Sequence, residues 1–269
     1  MKQRLVSAFI GVILLILVLL GNQYVFDIAV TLISSIAVFE VISALGLKKF
    51  RIMTLIAFLI PSALTALSYT GVNDYYLPLY FTVTSLFMLV MLFNHAKCKF
   101  ETVSKFIAVS IIVPVCFFHI ILTRRLGFEN LDILVILIGC WITDSCAYFA
   151  GMLFGKHKLA PEISPKKTIE GSIGGIIGVS GILTAYAVIA GNIMNVNVNI
   201  VPTIVIGLIS GILSQCGDLC ASIIKRENNI KDFGKIMPGH GGVMDRFDSL
   251  LFVAPIVYYI LCYFPIFTV

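Results

Sequence analysis

Apolar runs of about one bilayer's thickness recur along almost the whole chain, and no other feature narrows its possible folds so far. A helix needs about 20 predominantly apolar residues, within a range of about 17 to 25, to cross the hydrocarbon core. Runs near that length lie at 5–21, 26–46, 52–70, 76–94, 104–122, 131–153, 172–190, 200–217 and 249–267. They predict an all-α polytopic integral membrane protein of about nine transmembrane helices. A water-soluble fold is excluded, because 59% of the 269 residues are hydrophobic, only 12% are charged and the mean hydropathy is +1.03. The seven cysteines follow no disulfide or zinc spacing and read as small apolar residues.

The first run follows Lys2 and Arg4 and imitates a secretory signal, but it ends in Gly21, Asn22 and Gln23 without a small-x-small site. It reads as an uncleaved first helix. With the N-terminus cytoplasmic, the cytoplasmic segments collect Lys48, Lys49 and Arg51; Lys97, Lys99 and Lys105; Lys156, Lys158, Lys166 and Lys167; and Lys225, Arg226, Lys231, Lys235 and Arg246. Only Arg124 and Arg125 fall on the other side. Basic residues mark cytoplasmic loops, so the pattern puts the C-terminus outside. The two long connections, 154–171 and 218–248, are then both cytoplasmic. They belong to a C-terminal half, 131–269, that carries the chemistry, behind an N-terminal set of helices over 1–130.

Residues 217–248 form a polar island. Asp218, Glu227, Asp232, Asp245 and Asp248 stand among Lys225, Arg226, Lys231, Lys235 and Arg246, with a turn at Pro238, Gly239, His240, Gly241 and Gly242. If the eighth helix continues beyond the membrane, Asp218, Ser222 and either Lys225 or Arg226 share one of its faces. Asp245 and Asp248 lie one turn apart at the start of the ninth. Such carboxylates can converge on Mg²⁺, a hard cation that prefers oxygen and reaches substrates through phosphates. The glycines let bare N–H groups approach a ligand oxygen. A plain re-entry turn would explain the glycines but not His240 or the alternating charges.

The other loop sets Lys166, Lys167 and Thr168 before Glu170 and a glycine-bearing helix start. This composition suits phosphate, although the lysines alone could be membrane-side anchors. Asp144, with Thr143, Ser145 and Tyr148, sits where an ionisable group is costly and usually functional. Glu40 is placed similarly, and both a structural pairing and a polar cavity remain open for it. Gly207 and Gly211, and the small-residue face 171–178, suggest close helix packing within or between chains.

Two stretches resemble the phosphatidate cytidylyltransferases, also called CDP-diacylglycerol synthases. One runs from Ser222 through Lys225, Arg226, Lys231 and Asp232 to Pro238, Gly239, His240, Gly241, Gly242, Asp245, Arg246 and Asp248. The other runs from Trp141 through Asp144, Tyr148, Gly151, Gly155, Lys156, His157, Lys158 and Pro161 to Ser164, Pro165, Lys166, Lys167, Thr168 and Glu170. The resemblance covers about 139–255. Ala221 stands where the family commonly has glutamate, Ile169 where an aromatic residue is frequent, and Met237 where another aliphatic is usual.

The resemblance implies that CTP and phosphatidic acid become CDP-diacylglycerol and pyrophosphate with Mg²⁺, as one or two ions. It also implies an often dimeric enzyme of a bacterial-type cytoplasmic (inner) membrane, in contact with lipid and with no nucleic-acid partner. Asp218, Asp245 and Asp248 are the expected metal ligands, helped by Asp144. Lys225, Arg226 and Arg246 would hold phosphate oxygens, and Ser222 would ligate metal or orient a phosphate. Lys166, Lys167 and Thr168 would guide a headgroup or nucleotide, with Lys231, Asp232, His240, Gly241 and Gly242 shaping the substrate site. A cytidylyltransferase for another lipid phosphate, such as an isoprenoid-ether phosphate, is the alternative. A transporter of anionic metabolites would need acids and bases at mid-membrane in discontinuous helices and inverted repeats; here the charges concentrate at the inside edge of the second half, and no inverted repeat is evident.

Overall fold

The computed structural model describes residues 2–71, 76–239 and 241–268, with side chains from Ser7 onward apart from Ala8. His240 therefore lies outside the described residues, as do the side chains of Lys2 and Arg4. The chain divides into two compact units that interleave in sequence, Met1–Ile121 with Asn228–Phe247, and Leu122–Glu227 with Asp248–Val269.

In the first unit, α1 (Lys2–Leu20), α2 (Gln23–Ala44), α3 (Arg51–Ser68), α4 (Tyr76–Phe93) and most of α5 (Phe100–Arg124) precede the short α9 (Met244–Phe247). Asn22 starts α2 by accepting the Val25 N–H at 3.0 Å, satisfying one of the donors that a helix start leaves open. Gly46 ends it in the left-handed region, φ +70°. Gly46 N–H donates to Ser43 O, and Leu47 N–H reaches back to Ile42 O at 3.0 Å. This double closure folds the chain back, and the buried Leu47 seals it. The α2–α3 pair is tied by Tyr69 Oη donating to the buried Asp27 at 2.6 Å and by a Thr31–Thr65 hydroxyl contact at 2.7 Å. Phe26, Val38, Met53, Phe87 and Phe106 fill this unit's core, while Phe9, Leu55, Leu77 and Phe81 face outward, as lipid-facing side chains do.

The second unit holds α6 (Glu129–Phe154), β1 (Lys158–Ala160), β2 (Ser164–Thr168), α7 (Ile169–Met194), β3 (Asn197–Val198), α8 (Ile200–Glu227), α10 (Leu250–Tyr263) and β4 (Phe267–Thr268). Small-residue packing is found inside the chain: Gly171, Gly174, Gly175 and Gly178 of α7 lie against α6, and Gly207 and Gly211 of α8 lie against α7. A Cβ on Gly207 would stand 2.5 Å from Ser180 Cα, and one on Gly211 would stand 2.8 Å from Ile176 Cα. Lipid gives apolar helices little reason to associate, so close backbone approach and interhelical hydrogen bonds do this work. Ser180 Oγ donates to Ile204 O, Ser214 Oγ to Cys140 O and Gln215 Nε2 to Ser172 O, at 3.1–3.2 Å.

Among the described residues seven helices, α2 to α8, are long and apolar enough to cross a membrane. Two shorter apolar helices, Phe9–Leu20 and Leu250–Tyr263, stand at the expected first and ninth positions. The architecture is mainly helical, consistent with the expected all-α polytopic membrane protein, and two small antiparallel pairings accompany the helices. In the basic loop Lys158 opposes Thr168 and Ala160 opposes Ser164. There the ladder satisfies backbone groups that prolines 161 and 165 keep out of a helix. In the other, Val198 opposes Phe267 and Asn199 donates to Pro265 O and Ile266 O, which stops α10 before residue 267. The helix α8 exceeds the apolar run that signals it and continues to Glu227.

Candidate active site

In the second unit the extension of α8 carries Asp218, half-buried Ser222 and Lys225 along one face, while Arg226 in the same last turn is exposed. The hairpin brings Lys167 to Asp218, where ammonium and carboxylate form an ion pair. Lys225 Nζ stands 3.8 Å from Asp248 Oδ2, and Asp248 Oδ1 accepts the Ser249 N–H at 2.8 Å. Asp248 is buried just before α10. Burial first, and then the negative charge of Asp218, push its carboxyl up to about 7; Lys225 and the Ser249 N–H oppose this and Asp144 adds to it. Two of the expected acids, Asp218 and Asp144, therefore act electrostatically on a third, Asp248. Asp144 itself is exposed on α6, as is Lys166 on β2.

Two residues around this cluster have structural work that sequence did not reveal. Thr168 caps α7, its Oγ1 accepting the Gly171 N–H at 3.2 Å, and it packs where Gly151 has no side chain. Glu170 accepts the N–H groups of Lys156 at 3.0 Å and His157 at 3.2 Å, and its Oε1 lies 2.6 Å from His157 Nδ1. Together they fix the base of the hairpin that carries Lys167. A glutamate in the first turn of a helix was the available signal.

In the first unit the glycine turn is organised by two carboxylates. Asp245 Oδ2 accepts the N–H groups of Phe233 at 2.8 Å and Gly242 at 3.0 Å. Gly241, at φ +85°, lies close against Asp232 and Asp245, and its carbonyl accepts the Met237 N–H at 2.9 Å. Glu40 Oε2, on α2, accepts the Met244 N–H at 2.9 Å. Lys231, Asp232 and Arg246 are exposed around this turn. Asp245 thus has a loop-ordering function besides any ligand role, and Glu40 has a partner in the polar island that its sequence neighbours do not suggest.

No group of three His, Cys, Asp or Glu side chains among the described residues forms a ready cation cage. The second unit's donors nevertheless fit Mg²⁺, which commonly takes one or two carboxylates and completes its shell with water and phosphate. A buried Asp248 whose proton affinity is raised by burial and by the charges of Asp218 and Asp144, in a cluster that holds two ammonium groups, is a place where added positive charge is favourable.

The cytidylyltransferase family matches residues 2–264. The phosphatidate cytidylyltransferase of Bacillus subtilis is 33% identical over 273 residues, covering 98% of each chain. That of Staphylococcus saprophyticus is 35% identical over 270 residues, covering 96% of this chain and 97% of its own. That of Thermotoga maritima is 38% identical over 160 residues, 59% of each. Because the family match runs through both units and through both polar segments that carry the acids and lysines, this chain belongs to the cytidylyltransferase family.

Proposed function

We propose that the protein transfers a cytidylyl group from CTP to phosphatidic acid, giving CDP-diacylglycerol and pyrophosphate in phospholipid synthesis. The observation that carries this reading within a cytidylyltransferase is the paired arrangement of Lys167 with Asp218 and Lys225 with Asp248 in one cluster of carboxylates. Both substrates are polyanions, so the first problem is their mutual repulsion. A phosphate oxygen of phosphatidate forms the new bond to the α-phosphorus of CTP as the bond to the β-phosphate oxygen breaks and pyrophosphate leaves. The attacking oxygen already carries charge, so no protein nucleophile is required, and positioning with electrostatic stabilisation suffices.

Asp218 and Asp248, helped by Asp144, would hold Mg²⁺. When bound, the ion would neutralise phosphate charge on the nucleotide and on the departing pyrophosphate. Lys167 and Lys225 would exchange their carboxylate partners for phosphate oxygens, and Arg226 and Arg246 would supply planar forks to others. Ser222, one turn beyond Asp218, would orient a phosphate. Lys166, Thr168 and the glycine turn with Lys231, Asp232, His240, Gly241 and Gly242 would border the substrates.

The bacterial relatives and the apolar helices support a multi-pass protein of the cytoplasmic membrane. The distribution of lysine and arginine supports a cytoplasmic N-terminus and a site open to the cytoplasm. A homodimer is part of the same reading. Purified protein given labelled CTP, phosphatidic acid and Mg²⁺ is expected to yield a labelled lipid and pyrophosphate. Conversion of an isoprenoid-ether phosphate in preference to phosphatidic acid, or CTP consumption without a lipid product, would overturn it.

A further inference from the structure

Glu40 lies on α2, far in sequence from the polar island, yet it is 4% exposed and its carboxylate occupies the inside of the glycine turn. A side chain on Gly234 would overlap Glu40 Oε1, and one on Gly242 would overlap Oε2. Oε2 accepts the Met244 N–H at 2.9 Å. The next residue, Asp245, closes the same turn from the other end through the Phe233 and Gly242 N–H groups. Two acids therefore share one small loop: Asp245 gathers its N–H groups, and Glu40 fills the space that the two glycines leave. A carboxylate with this burial in a membrane helix is costly and persists where surrounding groups require it.

We infer that Glu40 is a positioning residue for cytidylyl transfer, a mould on which Phe233, Gly234 and residues 242–245 set so that Asp245 and Arg246 are presented in one fixed orientation. Its effect on rate rests on the function proposed above; its effect on the loop does not. Gly234 and Gly242 are the complementary half of the device, and their lack of a side chain is required by Glu40, not only by a turn.

The test uses the full-length protein in lipid nanodiscs, with E40A, E40Q, G242A and the double variant E40A/G242A. Backbone hydrogen exchange at Phe233, Gly242 and Met244 is read beside kcat and KM for CTP. E40A should speed exchange of these amides at least about tenfold while α2 and α3 keep their protection, and should lower kcat about 100-fold, the scale of a small misplacement in a site. The E40Q amide oxygen can still accept from Met244, so E40Q should retain kcat within about tenfold, a neutral acceptor being weaker than a carboxylate. G242A should be impaired by overlap with Glu40, and E40A/G242A should be no worse than G242A alone, the non-additivity expected of groups in contact.

Unchanged loop exchange in E40A, or additive losses in the double variant, would overturn the inference. So would loss of protection throughout α2 and α3 in both E40A and E40Q, which would make Glu40 a general folding residue. Failure of the wild type to convert CTP would count against the proposed reaction, while exchange and the 40–242 pair would still decide the mould.

Discussion

Asp248→Asn should remove most of the pH dependence of stability from the metal-free protein. The Asp248 carboxyl is raised from 3.8 to about 7, burial being the main cause and Asp218 the next. A shift of about three units corresponds to about 4 kcal/mol at 1.36 kcal/mol per unit. Between about pH 4 and pH 7 the folded protein keeps a proton that the unfolded chain has released, so stability falls as pH rises through this window and levels off above it. Asparagine keeps the shape and omits the buried charge. Thermal unfolding in detergent with EDTA, from pH 5 to pH 8.5, should show the wild type losing stability toward pH 8 and D248N staying nearly level. The gap at pH 8 should be about 10 °C, taking 2–4 °C per kcal/mol. Mg²⁺ at pH 8 should raise the wild type more than the variant, because it binds the deprotonated carboxylate. A wild type whose Tm is flat or rises over this range, or a D248N that follows it in parallel, would refute the electrostatic reasoning.

Lys167→Met should lower kcat/KM for CTP and phosphatidate by about 10- to 100-fold, the loss of one charge-assisted phosphate contact, with unchanged membrane insertion; steady-state kinetics on membranes checks both. Thr168→Ala should cost about 1 kcal/mol as α7 loses its cap, and should weaken activity through the Lys167 hairpin, seen as faster exchange at Gly171. Gly207→Val should separate α7 from α8, destabilising by about 1–3 kcal/mol or more in thermal unfolding, because its side chain meets the Ser180 backbone.

The helices were legible because hydrocarbon thickness imposes a length that few other folds imitate, and the face of Asp218, Ser222 and Lys225 was legible because helical spacing is regular. The end of α10 was not, since the chain there leaves the helix to pair with Asn197 and Val198, a partner far away in sequence. The hairpin under Lys167 was hidden for a similar reason: its strands are short and contain prolines, so only the ladder between them identifies it. Glu40 shows the limit most clearly. Its burial cost was visible in the apolar run around it, but its reason for being there is Met244 and two glycines 194 to 204 positions later, and no local pattern encodes that contact.

The most direct measurement is an experimental structure with CTP and Mn²⁺ in place of Mg²⁺, the ion located by its anomalous scattering. Metal is expected within coordination distance of an Asp218 or Asp248 oxygen, with Lys167 turned from its carboxylate onto a phosphate. Metal and triphosphate bound away from both carboxylates, with the Lys167–Asp218 pair intact, would contradict that expectation.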